Sequence, residues 1–399
     1  MRFCLTSCLS VSSIVLCLAA SGSAEEARGP RVEGRVFVPE TSIALEEDAG
    51  FASHTNHRIL MEPAGGLGPS GGMTPTQIAS FYGVNPGGSG VIAIVDAYNY
   101  PAALNDFNVF ATQFGLPVET SSNAAASTNQ VFQVVYASGA APANNASWNE
   151  EEALDIEWAH AMAPNAKIIL VEANSANDFD LFAAVEVAAA IAEVKQVSMS
   201  WAGGESFFES YFDGYLNAAK GPIYFASTGD SGGMVEYPSC SPFVVAAGGT
   251  SVATSGTGEW MGETGWPDGG GGNSRYEARP SWQSAVSGVG SRRGVPDISS
   301  DSDPNTGVAV YDSISYEGYV GWLVFGGTSV ASPSLAAMMN SSGASFANTT
   351  SFLTALYANF KKSGYADFRD IISGGHNNDA KVGWDYATGI GVPIGPQSF

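Results

Sequence analysis

A serine at the start of a helix is the first candidate for chemistry in this sequence. The string "FGGTSVASPSLAAMM", residues 325–339, joins an apolar strand through a Gly-Gly turn to a helix that begins near Ser329. The positive end of a helix dipole and its free backbone N–H groups favour a nucleophile and the oxyanion that it creates. The same spacing suits a plain helix cap formed by Ser329 or Thr328. The pattern therefore predicts either a nucleophile or a cap at this position.

A pair of carboxylates could supply the base that a nucleophilic serine needs. Glu151 and Asp155 lie one helical turn apart, on one face of a predicted helix. Two carboxylates held close together cannot both ionise easily, so one pKa rises and the pair can carry a proton under acid conditions. The alternative is a helix first turn that is rich in acids because of the helix dipole, which fits Glu152 and Glu157 better.

The four histidines offer no obvious base. His54 and His57 precede the predicted folded domain, His160 lies near the end of a helix, and His376 lies in a Gly/Asn loop. We expect each of them to be solvated or structural. A nucleophile at Ser329 would then depend on a carboxylate base.

Polar residues end several of the predicted strands. Asp96 follows "VIAIV", Ser198 and Ser200 lie in "VSMSW", and Asp230 follows "IYFASTG". Ligands bind at the carboxyl ends of the strands in open parallel sheets, so we expect these residues to lie along one edge with Ser329. A protonated Asp230 could donate a hydrogen bond to a developing oxyanion.

The string "GDSGG" around Ser231 also surrounds the nucleophilic serine of trypsin-like proteases. Those enzymes are antiparallel barrels and usually carry several disulfides. Here the predicted sheet is parallel, and Cys240 is the one cysteine that follows the predicted leader. We therefore interpret Ser231 as a turn residue.

Apolar strands alternate with helices along most of the chain, which predicts an α/β fold: a parallel sheet with helices on both faces. Further helices are expected after Pro101 and near residues 206–219. The main predicted elements are strands at 90–98, 166–173, 196–201, 222–228 and 242–250, and a helix at 178–194.

The composition and the N-terminal residues predict the localisation and the partners of the protein. Residues 1–24 have the pattern of a cleaved secretory signal, which predicts an extracellular or periplasmic protein, and residues 25–72 read as a short lead-in or linker. The net charge of -23 argues against nucleic acid or membrane partners and suits work at low pH. We expect a monomer.

Four motifs in order resemble the sedolisin family of serine-carboxyl peptidases, which have a subtilisin-like fold and act at acid pH. They are "EEALDIEWAHAMAPNA", "VSMSWAGG", "ASTGDSGG" and "GGTSVASP", within a region from Met73 to Phe399. The resemblance implies that Ser329 is the nucleophile, Glu151 its general base, Asp155 the acid behind that base and Asp230 the oxyanion-hole acid.

The resemblance implies supporting roles as well. Asp96 would be an acid close to the catalytic residues, Ser200 would lie near the substrate, and Trp201 would form a wall of the substrate groove. Members of the family usually carry a long folded propeptide, whereas residues 25–72 are short. Either this branch folds without one or another chain supplies that function.

The C-terminal "DFRDIISGGHNNDAKVGWDYATGIGVP" resembles the calcium loop of the family. The resemblance implies one Ca²⁺ ion, an ion that prefers oxygen ligands. Carboxylates would come from Asp370 and Asp385, and backbone carbonyls from Ile371, Lys381 and Gly383. Without the resemblance, such a loop reads as a turn.

The sequence thus predicts a secreted acid endopeptidase that cleaves proteins or peptides through an acyl-enzyme. One alternative is a neutral subtilisin-like protease that uses Asp96, a histidine and Ser329. The other is a catalytically inactive secreted binding module on the same fold.

Overall fold

The structure is a computed structural model that describes residues 29–399. The predicted leader, residues 1–24, lies outside the described residues. Within the described part, no helix combines the length and the apolar character needed to cross a bilayer. The helices are α1 (Pro75–Phe81), α2 (Ala103–Phe114), α3 (Ala146–Met162), α4 (Asp178–Ala190), α5 (Glu209–Leu216), α6 (Thr328–Ser342) and α7 (Thr349–Ser363).

The strands range from two to ten residues. In chain order they are β1 (Arg31–Glu33), β2 (Val36–Val38), β3 (His54–Thr55), β4 (Arg58–Leu60), β5 (Val91–Ala97), β6 (Phe132–Tyr136), β7 (Lys167–Ala173), β8 (Val194–Met199), β9 (Trp201–Gly204), β10 (Ile223–Ser227), β11 (Glu236–Tyr237), β12 (Val245–Thr254), β13 (Trp260–Gly265), β14 (Gly272–Ala278), β15 (Arg292–Val295), β16 (Ile298–Asp301), β17 (Val308–Tyr316), β18 (Tyr319–Gly326), β19 (Phe368–Arg369) and β20 (Val392–Pro393).

An eight-stranded sheet forms the centre of the molecule. Its order is β13-β12-β10-β8-β5-β7-β6, and β16 pairs with β12. All of these pairings are parallel except β12 with β13. Parallel strands need covered faces, which explains why their sequences are continuously apolar.

Two hydrophobic clusters cover the two faces of this sheet. Ile92 and Ile94 of β5 join the cluster that contains α3 and α6. Val91, Ala93 and Val95 of the same strand join the cluster that contains α4 and α5. Alternate residues of one strand therefore supply both cores, as the two-residue period of a strand requires. The predicted α/β sheet with helices on both faces is confirmed.

The predicted boundaries need small corrections. The helix predicted at 178–194 ends at Ala190, because the chain turns there and enters β8 at Val194. The stretch predicted as one strand at 196–201 contributes to β8 and then to β9, which leaves the main sheet.

The lead-in segment, residues 25–72, contains more regular structure than its composition indicates. In the described part, β2 pairs with β4, and β4 pairs with β18, the strand that leads into α6. Val36, Val38 and Leu60 pack with Val324 of β18 in a small separate cluster. Farther along, β3 pairs antiparallel with β9. These strands have two or three residues each, so their stability depends on partners that lie far away in the chain.

Candidate active site

Helix α3 carries the predicted acid pair through the interior of the protein. Asn145 caps it by accepting hydrogen bonds from the backbone N–H groups of Ser147 and Trp148. Glu151 and Asp155 are fully buried, and the helix packs against α6 and β17. The helix is buried on all sides, so its carboxylates face protein whichever way they point. The interpretation of Glu152 and Glu157 as acids of the helix first turn is wrong, since the helix begins at Ala146 and both residues lie beyond that turn, fully buried.

Ser329 lies in the first turn of α6 and is fully buried. Its hydroxyl donates a hydrogen bond to the carbonyl of Ser200 over 3.3 Å, and the Ser200 hydroxyl donates to Asp155 Oδ1 over 2.8 Å. Ser200 therefore connects the candidate nucleophile to the second carboxylate of the pair. The structure thus brings Ser329, Ser200 and Asp155 together.

The turn before Ser329 requires glycine. Gly327 has a φ of +100°, and a Cβ atom at this position would meet the carbonyl oxygen of Asn56 at 2.1 Å and Asp230 Oδ2 at 2.5 Å. A side chain would therefore collide with backbone as well as with a carboxyl group. This close packing keeps Asp230 and the Asn56 carbonyl next to the start of α6.

Burial controls the protonation of Glu151. Desolvation raises its pKa to about 8, while interactions with the Ser329 hydroxyl, the Asn56 backbone N–H and Asp155 lower it. The pKa of Asp155 is raised well above its ordinary value by burial and then by the charges of Asp96 and Glu151. The pair therefore keeps a proton at pH values where exposed acids are fully ionised.

Asp230 lies beside the N-terminus of α6. Its Oδ1 accepts hydrogen bonds from the backbone N–H of Thr328 (2.8 Å) and from the Thr328 hydroxyl (2.9 Å). Burial raises the pKa of Asp230 to about 7, although the Arg58 charge and the Thr328 hydrogen bonds lower it. The Oδ2 atom is buried and has no hydrogen-bond partner. A protonated Oδ2 could therefore donate to an oxyanion next to Ser329.

Asp96 belongs to a group of buried acids behind the pair. It is fully buried, and both of its carboxylate oxygens have no hydrogen-bond partner. Burial raises its pKa well above the ordinary value, and the charges of Glu151 and Glu172 raise it further. Asp96 therefore acts electrostatically on Glu151 and Asp155 rather than through a direct hydrogen bond.

The side chain of Trp201 lies in the interior, and its backbone pairs with the lead-in segment. Its side chain is fully buried, donates from Nε1 to the carbonyl of Val95 over 2.8 Å and packs edge-on against Phe182. The backbone of Trp201 pairs with Thr55 of the lead-in segment. The indole ring thus packs in the interior, and a role of Trp201 as a groove wall stays a prediction.

Three lead-in residues that the sequence reasoning overlooked contact the candidate site. The backbone N–H of Asn56 donates to Glu151 Oε2 over 3.1 Å, and His57 Nδ1 lies 2.9 Å from the same oxygen. Arg58 Nη2 donates to the carbonyl of Asp230 over 2.5 Å. The available signal was chemical, because the string "HTNHR" concentrates two histidines and an arginine in a chain that is poor in basic residues.

The histidines differ in their surroundings. His57 is fully buried between Glu150 and Glu151, so a solvated position for it is wrong. His160 is buried at the side of Phe107, and burial lowers its pKa to about 4. His376 is exposed in a short 3₁₀ turn. The acids that His57 contacts are Glu150 and Glu151.

The predicted calcium ligands come together around one loop. The backbone N–H of Lys381 donates to Asp385 Oδ2 over 2.7 Å, and that of Gly383 donates to Asp370 Oδ2 over 3.2 Å. Burial raises the pKa of Asp385 to about 6 and also raises that of Asp370, so both acids would gain from a nearby cation. The two carboxylates are oxygen donors of the kind that Ca²⁺ prefers, so they fit the ion in type. Lys381 and Gly383 contact these carboxylates through their N–H groups, and the carbonyl ligands from Ile371, Lys381 and Gly383 stay a prediction.

Comparisons with known proteins agree with the motifs. No family model matches the chain. Among curated proteins, kumamolisin from Bacillus sp. (strain MN-32) is 34% identical over 279 residues, which cover 61% of this chain and 49% of that protein. Sedolisin from Pseudomonas sp. (strain 101) is 33% identical over 239 residues, 50% of this chain and 39% of that protein. Xanthomonalisin from Xanthomonas sp. (strain T-22) is 32% identical over 201 residues, 45% of this chain and 23% of that protein.

The chain therefore spans half or less of the length of these curated relatives. A solved structure gives wider coverage: Pseudomonas sedolisin, a serine-carboxyl proteinase complexed with two molecules of pseudo-iodotyrostatin, aligns with a TM-score of 0.66 and 27% identity. That alignment covers 81% of this chain and 95% of the other. With the four motifs and the shared fold, these matches show that the chain is similar to members of the sedolisin family.

Proposed function

We propose that the protein is an acid-active serine-carboxyl endopeptidase that hydrolyses peptide bonds through an acyl-enzyme on Ser329. One observation carries the proposal: the Ser329 hydroxyl lies in the same buried cluster as Glu151 and Asp155, with Asp230 beside its helix N-terminus. Peptidase relatives at 32–34% identity support the reaction class.

Glu151 is the general base in this proposal. In its ionised form, which the Ser329 hydroxyl and the Asn56 N–H favour, it takes the proton from Ser329 as the hydroxyl oxygen attacks the substrate carbonyl, and later gives the proton to the leaving amine. Asp155 exchanges a proton with Glu151. Ser200 holds Asp155 in position through its 2.8 Å hydrogen bond. The buried Asp96 disfavours a second negative charge on the pair.

Asp230 and the backbone N–H of Ser329 form the oxyanion site. Asp230 donates from Oδ2, which has no hydrogen-bond partner and lies 3.8 Å from Arg58 Nε, only while it is protonated, and burial raises its pKa to about 7. The oxyanion donor is therefore present under acid conditions and disappears as the pH rises through neutrality. This dependence favours the acid enzyme over the neutral subtilisin-like alternative, as does the position of His57 against Glu151 rather than Ser329.

The expected substrates are proteins and peptides, taken up as extended strands along β9. The acidic composition suits secretion into an acid environment, and the loop with Asp370 and Asp385 would hold Ca²⁺ as a structural ion. When bound, the ion would neutralise these two carboxylates and stabilise the C-terminal loop.

Replacing the nucleophile tests the proposal. We expect Ser329→Ala to lose at least about 10³-fold in kcat/KM on denatured protein at acid pH, because the acyl-enzyme can no longer form. Ser231→Ala is the matched control, since Ser231 is a half-buried turn residue whose carbonyl accepts a hydrogen bond from the Met234 N–H. Equal activity of the wild type and Ser329→Ala would rule out the mechanism, and absence of hydrolysis by the wild type would favour the inactive binding module.

A further inference from the structure

Asp230 lies in a loop whose glycine-rich backbone does not fix its own shape. This loop, residues 229–234, is called here the acid loop and connects β10 to β11. Three of its six residues are glycines, and Gly229, Gly232 and Gly233 have φ angles of +97°, +21° and +71°. Glycine adopts such angles without strain but also visits many others, so contacts from outside must hold the loop in place.

A ring from the C-terminal loop, residues 370–385, supplies one of these contacts. A Cβ atom on Gly232 would meet His376 Nδ1 at 2.8 Å, and a Cβ atom on Gly233 would meet His376 Cδ2 at 2.6 Å. For Gly233, the three nearest atoms all belong to this ring. The ring of His376 therefore fills the space that side chains at both glycine positions would need.

The backbone of the acid loop is bonded to a neighbouring segment, residues 265–271. The N–H of Gly232 donates to the carbonyl of Asp268 over 2.9 Å, and the N–H of Gly233 donates to the carbonyl of Gly269 over 3.1 Å. Each of the two glycines thus has a backbone hydrogen bond to this segment and a van der Waals contact with the ring from the C-terminal loop.

The C-terminal loop is bonded to the same segment. The N–H of Gly265 donates to the carbonyl of Ser373 over 2.9 Å, and the N–H of Gly375 donates to the carbonyl of Gly265 over 2.7 Å. Gly375 directly precedes His376. These bonds therefore fix the position of the His376 ring relative to the segment, and through the segment relative to the acid loop.

The contact with the ring lies close to the proposed oxyanion acid. Only Ser231 separates Asp230 from Gly232, and Thr328 holds the Asp230 carboxyl through Oδ1. A movement of Gly232 would shift this carboxyl relative to the N-terminus of α6 and would admit water to it. The charged and titratable groups that act on Asp230 come from three other elements and are Arg58 of β4, Glu151 of α3 and His54 of β3.

We propose that His376 is a positioning residue for Asp230, because its ring holds the acid loop and keeps Asp230 in place at the N-terminus of α6. The inference rests on the proposed function, in which Asp230 donates to the oxyanion. Without the ring, the donor would be correctly placed for a smaller fraction of the time. Water would also reach the carboxyl, and hydration favours its ionised form, which cannot donate.

Removal of the ring tests the proposal. We expect His376→Ala to lower kcat on denatured protein at acid pH about 10-fold, with little change in KM, because the oxyanion donor is misplaced rather than lost. The alkaline limb of its pH–rate profile should move to lower pH, since a hydrated Asp230 ionises more readily. His376→Phe, which keeps a flat ring, should restore both properties. Val382→Ala is the matched control, because Val382 belongs to the same loop and is 76% exposed.

A double-mutant cycle isolates the contact itself. Gly233→Ala adds a methyl group against the His376 ring, so it should lower kcat in the wild type. The positive φ at this position strains alanine in every background, so that cost cancels in the comparison. We expect Gly233→Ala to lose several-fold less kcat in the His376→Ala background than in the wild type. If His376→Ala melts below the assay temperature, His376→Gln, which also lacks a ring, takes its place in both tests.

Three outcomes would overturn the inference. In the first, His376→Ala melts at a lower temperature but keeps the kcat and the alkaline limb of the wild type, which would make the ring a structural residue only. In the second, His376→Phe is as slow as His376→Ala although it melts like the wild type. In the third, Gly233→Ala costs the same in both backgrounds. Each of them leaves the proposed function standing if the wild type hydrolyses protein at acid pH, whereas a wild type without hydrolysis would remove both proposals.

Discussion

Asp230 is the residue through which the proposed active site would depend on pH. Its carboxyl is placed by the two hydrogen bonds from Thr328, while burial keeps its second oxygen away from water. Burial raises its pKa to about 7, because the charged form loses solvation that two hydrogen bonds and the Arg58 charge only partly replace. The residue can therefore be a neutral donor over the whole acid range.

We expect activity to fall as the pH rises through about 7, where Asp230 loses its proton. Asp230→Ala should lose about 10²- to 10³-fold in kcat at acid pH, because one oxyanion donor is removed. Asp230→Asn should keep part of the activity and move the alkaline limb of the pH–rate profile upward, since an amide donates at every pH. Identical alkaline limbs for the wild type and Asp230→Asn would show that another group controls the profile.

The C-terminal loop is the element in which the proposed Ca²⁺ ion would act. Asp385 accepts hydrogen bonds from the backbone N–H groups of Lys381, Ala387 and Thr388, and Asp370 accepts one from Gly383. The loop also reaches the main sheet, where Gly374 forms a parallel bridge with Gly265 at the end of β13. A cation between the two carboxylates would therefore stabilise the loop and its contact with the sheet.

Removal of calcium should lower the melting temperature. An ion present at 100 times its Kd stabilises the folded state by about 2.7 kcal/mol, so a chelator should lower the melting temperature by several degrees. The Asp370→Asn variant should melt lower than the wild type in calcium and respond less to the chelator. A wild-type melting temperature that does not change with either chelator or added Ca²⁺ would remove the calcium proposal.

At the scale of the whole molecule, the protein combines an acidic composition with many buried acids. The net charge is -23, and Asp96, Glu152, Glu172 and Asp312 are nearly or fully buried. Burial raises the pKa of Glu172 and of Asp312 to about 7, and raises those of Asp96 and Glu152 well above their ordinary values. The folded state therefore binds protons that the unfolded chain releases, which couples folding to acid conditions.

Stability should fall as the pH rises from about 4 to above 7. The folded pKa values lie above the unfolded values of about 4, so the contribution of these acids is complete below pH 4 and is lost as the pH passes the folded values. Each pKa unit corresponds to about 1.4 kcal/mol per group. Thermal melts of Ser329→Ala, which cannot digest itself in the proposed mechanism, should show this trend.

Glu172→Gln in that background provides the control for the stability prediction. The amide oxygen can still accept the hydrogen bond from the Tyr100 N–H, but the group no longer titrates. We expect this variant to lose less stability between pH 4 and pH 8 than its parent. A stability that stays constant or increases over this range would contradict the coupling.

Sequence alone determined the parts of this protein that depend on local periodicity. Continuous apolar strands predict the parallel sheet, and the four-residue spacing of Glu151 and Asp155 places them on one face of α3 wherever that helix lies. The carboxyl ends of parallel strands share an edge, so Asp230 and Ser200 could be expected near Ser329.

Tertiary structure alone decided the path of the lead-in segment and the burial of the acids around the pair. Strand β3 has two residues and acquires its register from β9, far along the chain, which no local pattern encodes. The burial of Glu152 follows from packing around all sides of α3, whereas its polarity in the sequence indicates a surface position. Pairing and desolvation are long-range interactions, so the contacts of Asn56 and His57 with Glu151 could be recognised only in the folded molecule.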